Sequence, residues 1–160
     1  MPHKAIFLDR DGVINADKDY VSKPEDIVFV DGVFDFCRQA QEAGYMLIVI
    51  TNQSGIGRGL FSEEDFEGLM YWMQEQFTLE DCPLTDWYFC PHHPTEGKGD
   101  YKKECDCRKP RPGMILSAAG DWEIDLPHSI LIGDKESDIE AGKAAGVGRV
   151  ELFKGKWPEL

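Results

Sequence analysis

Three short apolar runs, at residues 5–9, 45–51 and 129–134, each end on a polar residue able to do chemistry: Asp9, Thr51 and Asp134. Continuous runs rich in branched residues, without polar alternation, belong to strands buried on both faces, the condition of a parallel sheet covered by helices. Helical spacing takes over between them. Val33, Phe34, Cys37 and Ala40 recur at helical intervals, with Asp31 placed to cap that helix and Gly44 to end it in a left-handed turn. Ser62 is placed to cap a second helix over residues 63–77, on which Phe66, Leu69, Met70 and Met73 share a face. A strand is expected over 84–90, a short helix from Pro112, another helix over 136–145 and, after Gly146, a last strand over 149–152. The alternation predicts an α/β fold of Rossmann-like architecture, a parallel sheet with helices on both faces.

With 160 residues, 42% of them hydrophobic, the chain can bury one sizeable core, so a single domain over 1–160 is expected. No apolar run approaches the roughly 20 residues a membrane span needs, and the N-terminus enters a strand instead of a leader pattern, which predicts a cytoplasmic protein. The net charge of -13 disfavours nucleic acid and anionic membranes as partners, because the long-range field repels polyanions. Any anion must be caught locally. The one long irregular stretch, 91–112, is locally basic through Lys98, Lys102, Lys103, Arg108, Lys109 and Arg111, and long loops in compact domains are usually functional.

Asp9-Arg10-Asp11-Gly12 follows a strand directly, so its carboxylates should emerge at the carboxyl edge of the sheet, where open α/β sheets bind ligands. There Asp9 can attack phosphorus while Asp11, two residues on, protonates the leaving oxygen and later deprotonates water. Two carboxylates facing a phosphate dianion repel it unless a hard cation intervenes, which calls for Mg²⁺. Asp134 is the natural further ligand beside Asp9 and the Asp11 backbone carbonyl, with Asp138 placed to orient the ion's waters. The turn Thr51-Asn52-Gln53-Ser54-Gly55 offers hydroxyl and N–H donors for phosphoryl oxygens, and Lys109 adds positive charge. Each piece alone is ordinary, since an Asp after a strand often caps a turn and most lysines are solvated.

Cys90 and His92, then Cys105 and Cys107 after twelve residues, offer three thiolates and an imidazole for a closed tetrahedral Zn²⁺ site over a loop of about residues 90–107. Unpaired structural cysteines would not explain a polar loop with no apolar pattern to hold it. A structural zinc would order that loop and place Arg108 and Lys109, which follow Cys107 directly. Cys37 and Cys82 are expected to be packing and incidental residues, and His3 and His128 to carry no role.

Together the motifs resemble the haloacid dehalogenase (HAD) superfamily of phosphatases. In that family an Asp-x-Asp-Gly first motif, a Ser or Thr ending a strand, a Lys and a pair of acidic metal ligands recur in this order. The resemblance implies an aspartyl-phosphate mechanism, with Asp9 as nucleophile, Asp11 as proton donor, and Thr51 and Lys109 as phosphoryl stabilisers. Cap domains of this superfamily are inserted after the first or second motif, and residues 60–88 hold only a helix and its connection, so the cap is minimal. The cleft should then be roofed by residues 16–22 and the zinc loop, which would set specificity.

Within the superfamily, residues 7–15, 51–55, 90–94 and 105–110 are most similar to phosphatases of a heptose bisphosphate, over nearly the whole chain. That similarity implies removal of the 7-phosphate to leave heptose 1-phosphate for surface glycans such as lipopolysaccharide. It places Arg10, Asp17, Lys18, Asp19, Tyr20, Asn52, Gln53, Ser54, Arg108 and Lys135 at the substrate, with Arg58 as a lesser candidate, and puts the zinc bond on His92 instead of the adjacent His93. The alternative within the superfamily is a histidinol-phosphate phosphatase, whose zinc loop is typically shorter. A non-catalytic zinc module is the alternative outside it, and it leaves the paired strand-end carboxylates unexplained. An open site with no cap gives no need for a partner subunit, so a monomer is expected.

Overall fold

The computed structural model describes residues 2–160. Five parallel strands form one sheet: β1 Lys4–Leu8, β2 Tyr45–Asn52, β3 Asp86–Cys90, β4 Ile130–Gly133 and β5 Arg149–Leu152, in the order β3-β2-β1-β4-β5. The chain winds outward from β1 in one direction through β2 and β3, then returns to β4 and β5 on its other side. The direction reverses between β1 and β4, and such a switch point opens a crevice at the carboxyl ends of the strands.

The even spacing of strand side chains decides which helices cover which face. Ile6, Leu8, Leu47, Val49, Ile130 and Ile132 meet α1 (Val33–Glu42) and α3 (Glu63–Leu79) through Phe36, Cys37, Phe66, Met70, Met73 and Phe77. Ala5, Phe7, Ile48, Ile50 and Leu131 meet α4 (Gly113–Trp122) and α5 (Glu136–Ala145) through Met114, Ile115, Ala118, Ile139 and Ala141. Among the described residues no helix is long and apolar enough to cross a membrane.

Local signals explain most boundaries. Ser62 accepts the Asp65 N–H at 3.0 Å and Asp65 accepts that of Ser62 at 3.0 Å, a reciprocal cap that stabilises α3 by about 1 kcal/mol. Gly44 and Gly146 take φ of 90°, ending α1 and α5 where a side chain would be strained. Asp31 does not cap α1; Gly32 holds that position at φ 84°, and the Asp31 carbonyl instead accepts the Trp157 indole N–H at 2.8 Å. A Cβ on Gly32 would stand 3.0 Å from the same indole ring, so this corner is shaped by the C-terminal segment, a contact that helical periodicity does not register. Cys82 lies fully buried in the core beside the α1 face instead of being incidental to its turn. The turn after β2 winds into a four-residue helix, α2 (Ser54–Gly57), and residues 60–88 hold only α3, its connection and the start of β3.

Candidate active site

Asp9 leaves the carboxyl end of β1, its N–H still held by the Ile132 carbonyl of β4 at 3.1 Å, and its carboxylate lies buried over the switch point. Lys109 reaches it from the end of the zinc loop. Its ammonium donates to Asp9 Oδ1 at 3.0 Å, to the Ile50 carbonyl at 3.1 Å, and contacts Asp138 Oδ1 at 2.5 Å. Burial pushes the Asp9 carboxyl well up, with Lys109 acting against it. Burial works to lower the Lys109 ammonium, but the Asp9 and Asp138 carboxylates outweigh it, so the amine is held more firmly protonated than usual. Removing that ammonium would leave two buried carboxylates without their cation, a cost on the order of 3–5 kcal/mol. Asn52 fixes the backbone that carries Lys109 by a reciprocal pair, accepting its N–H at 3.0 Å and donating to its carbonyl at 3.2 Å.

Both oxygens of Asp138 are engaged, and its carboxylate also stands with those of Asp9 and Asp134 where a cation could be held. One oxygen meets Lys109, and the other accepts the Lys135 N–H at 3.2 Å. Buried on the first turn of α5, it sets the position of the lysine, a contact that its sequence context does not reveal because a carboxylate at that place in a helix is a common cap.

Asp134 sits at the end of β4 beside Asp9 and Asp138, with carboxylate oxygens of all three within 4.8 Å of one another. Asp134 Oδ1 is buried and has no hydrogen-bond partner, and a Cβ on Gly12 would lie 2.0 Å from Oδ2. Gly12, at φ 96°, thus brings the backbone after Asp11 against this carboxylate as no other residue could. A buried carboxylate oxygen lacking a donor, among oxygen-only ligands, fits a hard cation such as Mg²⁺.

Asp11 is gripped by four donors: Arg10 Nε and Nη2 at 3.1 and 3.2 Å, Asn15 Nδ2 at 3.0 Å and Gln53 Nε2 at 3.0 Å. Gln53 also donates to the buried Thr51 hydroxyl at 2.9 Å, joining the end of β2 to the end of β1. Asn15 was not among the expected site residues; the signal available for it was its place just beyond the Asp-Arg-Asp-Gly turn.

A cleft of about 290 Å³ opens above these groups, lined by Asp9, Asp11, Asp17, Asp19, Tyr20 and the 52–55 turn, with Arg108 and Lys135. The expected residues divide against it. Asp17, Asp19, Tyr20, Asn52, Gln53, Ser54, Arg108 and Lys135 line it; Lys18 is exposed and does not, and Arg10 is completely buried beneath it. Arg10 turns inward because the 16–22 segment folds over it, offering the Val21 carbonyl to Nη2 at 3.0 Å. Four carboxylates against two cations make the lining acidic, so a phosphate dianion enters favourably only with a cation already among them.

The Cys/His constellation converges. Ligand atoms of Cys90, His92, Cys105 and Cys107 lie within 4.8 Å of one another, with Sγ separations of 3.4 Å between Cys90 and Cys105 and 3.3 Å between Cys105 and Cys107. His92 turns Nδ1 toward Cys107 at 3.4 Å and Cys90 at 3.6 Å, while His93 Nδ1 accepts the N–H groups of Thr95 and Glu96 at 3.2 and 2.9 Å. The Cys90 and Cys105 thiols pull Cys107 down to about 5 by hydrogen bonding, against the effect of burial, while the hydrogen bond with Cys107, and burial after it, push Cys90 up. The third separation, Cys90 to Cys107, is 2.7 Å, and three soft thiols with one imidazole are a donor set that fits Zn²⁺. Arg108, next in the chain, donates to the His92 carbonyl at 3.3 Å, so the cluster and the cleft share a wall.

The family model described as HAD-hydrolase-like matches residues 106–156. A Burkholderia mallei protein named D-glycero-alpha-D-manno-heptose-1,7-bisphosphate 7-phosphatase is 55% identical over 96% of this chain and 81% of its own length. A Vibrio cholerae relative named for the beta anomer is 51% identical over 96% of this chain and 83% of its own. Among solved structures, the D,D-heptose 1,7-bisphosphate phosphatase of B. bronchiseptica, complexed with magnesium and phosphate, superimposes with a TM-score of 0.80 at 32% identity, covering 91% of this chain and 78% of that one. With its five-stranded parallel sheet and strand-end carboxylates, the chain belongs to the D-glycero-D-manno-heptose-1,7-bisphosphate 7-phosphatase family of HAD-like hydrolases.

Proposed function

We propose that this chain, acting as one domain over residues 1–160 and as a monomer, removes the 7-phosphate of D-glycero-D-manno-heptose 1,7-bisphosphate and leaves heptose 1-phosphate. The buried Asp9 carboxylate beside the Lys109 ammonium at 3.0 Å supports this reading most directly. An Asp9 oxygen attacks phosphorus, the bond from phosphorus to the C7 oxygen breaks, and that oxygen takes a proton from Asp11. Asp11 then takes a proton from water as the water oxygen bonds to phosphorus and the Asp9 ester bond breaks, which restores both carboxyl groups. Lys109 and the donors of the Thr51 turn hold the phosphoryl oxygens.

Asp9, Asp134 and the Asp11 carbonyl would hold Mg²⁺, which neutralises phosphoryl charge when bound. Cys90, His92, Cys105 and Cys107 would hold a structural Zn²⁺ that keeps Arg108 and Lys109 at the cleft. Tyr20, at φ 57° and half-exposed, belongs with Asp17 and Asp19 to the roof that would select the sugar. Arg108, and Lys135 with its ammonium 3.7 Å from the Asp17 carboxylate, are the cations of the lining that would meet the second phosphate of a bisphosphate.

Phosphate release from heptose 1,7-bisphosphate and from histidinol phosphate, measured side by side with Mg²⁺, tests the assignment. At least about a 100-fold preference in kcat/KM for the heptose is expected, since a buried or clamped charge pair contributes roughly 2–5 kcal/mol. Preference for histidinol phosphate would overturn the substrate. Chelation of Mg²⁺ should abolish release, and its return should restore it.

A further inference from the structure

Among the described residues Arg10, which lies between Asp9 and Asp11 in the chain, has the largest fully buried side chain. Burying a guanidinium costs several kcal/mol unless its donors are matched; here Nη1 is buried with no partner and only Nε and Nη2 are matched, so the partners of those two show what the side chain is kept for. Nε and Nη2 form a fork on the two oxygens of Asp11, at 3.1 and 3.2 Å. Nη2 also donates to the Val21 carbonyl at 3.0 Å, in the segment that roofs the cleft. The guanidinium Cζ lies over the Phe66 ring, 5.7 Å from its centroid, which ties it to the first turn of α3. Each Asp11 oxygen then receives one donor from Arg10 and one amide N–H, from Asn15 on Oδ1 and from Gln53 on Oδ2.

We propose that Arg10 is a positioning residue: it touches no substrate, but aims the Asp11 carboxyl for proton transfer and ties that aim to the roof of the cleft through Val21. The inference rests on the reading of Asp11 as the proton-transfer group. An amide in place of the guanidinium cannot span both oxygens and the Val21 carbonyl, and a lysine keeps the charge without the fork.

The test uses p-nitrophenyl phosphate with Mg²⁺ in rapid mixing. Nitrophenolate leaves without needing a proton, so formation of the Asp9 ester does not depend on Asp11, whereas breakdown of the ester by water does. Arg10→Gln protein is expected to show a nitrophenolate burst matching the amount of folded enzyme, followed by steady turnover slower by about 10- to 100-fold, part of the roughly 10²–10⁴-fold that a placed acid–base group supplies. Arg10→Lys should recover part of the steady rate. Loss of burst and steady rate in equal proportion in both variants would mean that Arg10 only supports the fold, and a steady rate unchanged in either would also overturn the proposal. Asp11→Asn serves as the reference. If it shows no burst with slow breakdown, the reading of Asp11 itself fails; if it does and Arg10→Gln does not, only the role of Arg10 fails.

Discussion

Asp9→Asn protein is expected to fold and to release no measurable phosphate, a loss of at least about 10⁴-fold by comparison with removal of a nucleophile elsewhere. The substitution keeps the shape of a side chain that is only 6% exposed, and Asp138 remains at 2.5 Å to hold the Lys109 ammonium. What it removes is the nucleophilic charge and one of the oxygen ligands gathered within 4.8 Å around Asp134. Acid-quenched wild-type enzyme mixed with labelled substrate should carry a phosphoryl group that the variant lacks, and variant protein that turned over at more than a few per cent of wild type would exclude Asp9 as the nucleophile.

Cys107→Ser protein is expected to lose its zinc and, at saturating Mg²⁺, to lose at least about 100-fold in activity, the size of effect that follows when a catalytic group is displaced by about 1 Å. Cys107 precedes Arg108 and Lys109 directly, and the Lys109 ammonium must travel from this loop to Asp9 at 3.0 Å. The sheet should survive, because helices cover both its faces and the loop adds only Cys90, Tyr101, Cys105 and Cys107 to the apolar layers, so the thermal midpoint should fall only modestly, by about 5 °C. Zinc content, thermal midpoint and turnover measured on one preparation check this; a zinc-free variant with full activity would show that the loop is ordered without the metal.

Much of this arrangement is written locally. Buried parallel strands appear as unbroken apolar runs, so β1, β2 and β4 are recognisable, and the residues that end them stand at the sheet edge whatever the rest of the chain does. The Cys/His spacing is legible because four metal-binding residues, three Cys and one His, flank a loop with no apolar pattern to order it. Contacts between distant segments are not written this way. Arg10 looks like a phosphate-binding residue by its neighbours, and only the return of residues 16–22 over it, with the Val21 carbonyl, turns it inward. Lys18 alternates out of the cleft that Asp17 and Asp19 line, since a short irregular segment has no period from which to read direction. Asp31 resembles a helix cap until Trp157, more than a hundred residues later, claims its carbonyl. Asp138 resembles one too, and its contact with Lys109 depends on how α5 meets the zinc loop.

The chemistry at Asp9 and the choice of sugar phosphate are independent properties of the site. Phosphorus NMR of the products formed from D-glycero-D-manno-heptose 1,7-bisphosphate with Mg²⁺, with Asp9→Asn protein as the blank, tests both at once. The account predicts that the C7 phosphomonoester resonance disappears while the anomeric phosphate at C1 persists, with one equivalent of inorganic phosphate, and that the blank shows no change. Loss of the anomeric phosphate with the C7 ester retained, or phosphate release undiminished in the Asp9→Asn protein, would contradict it.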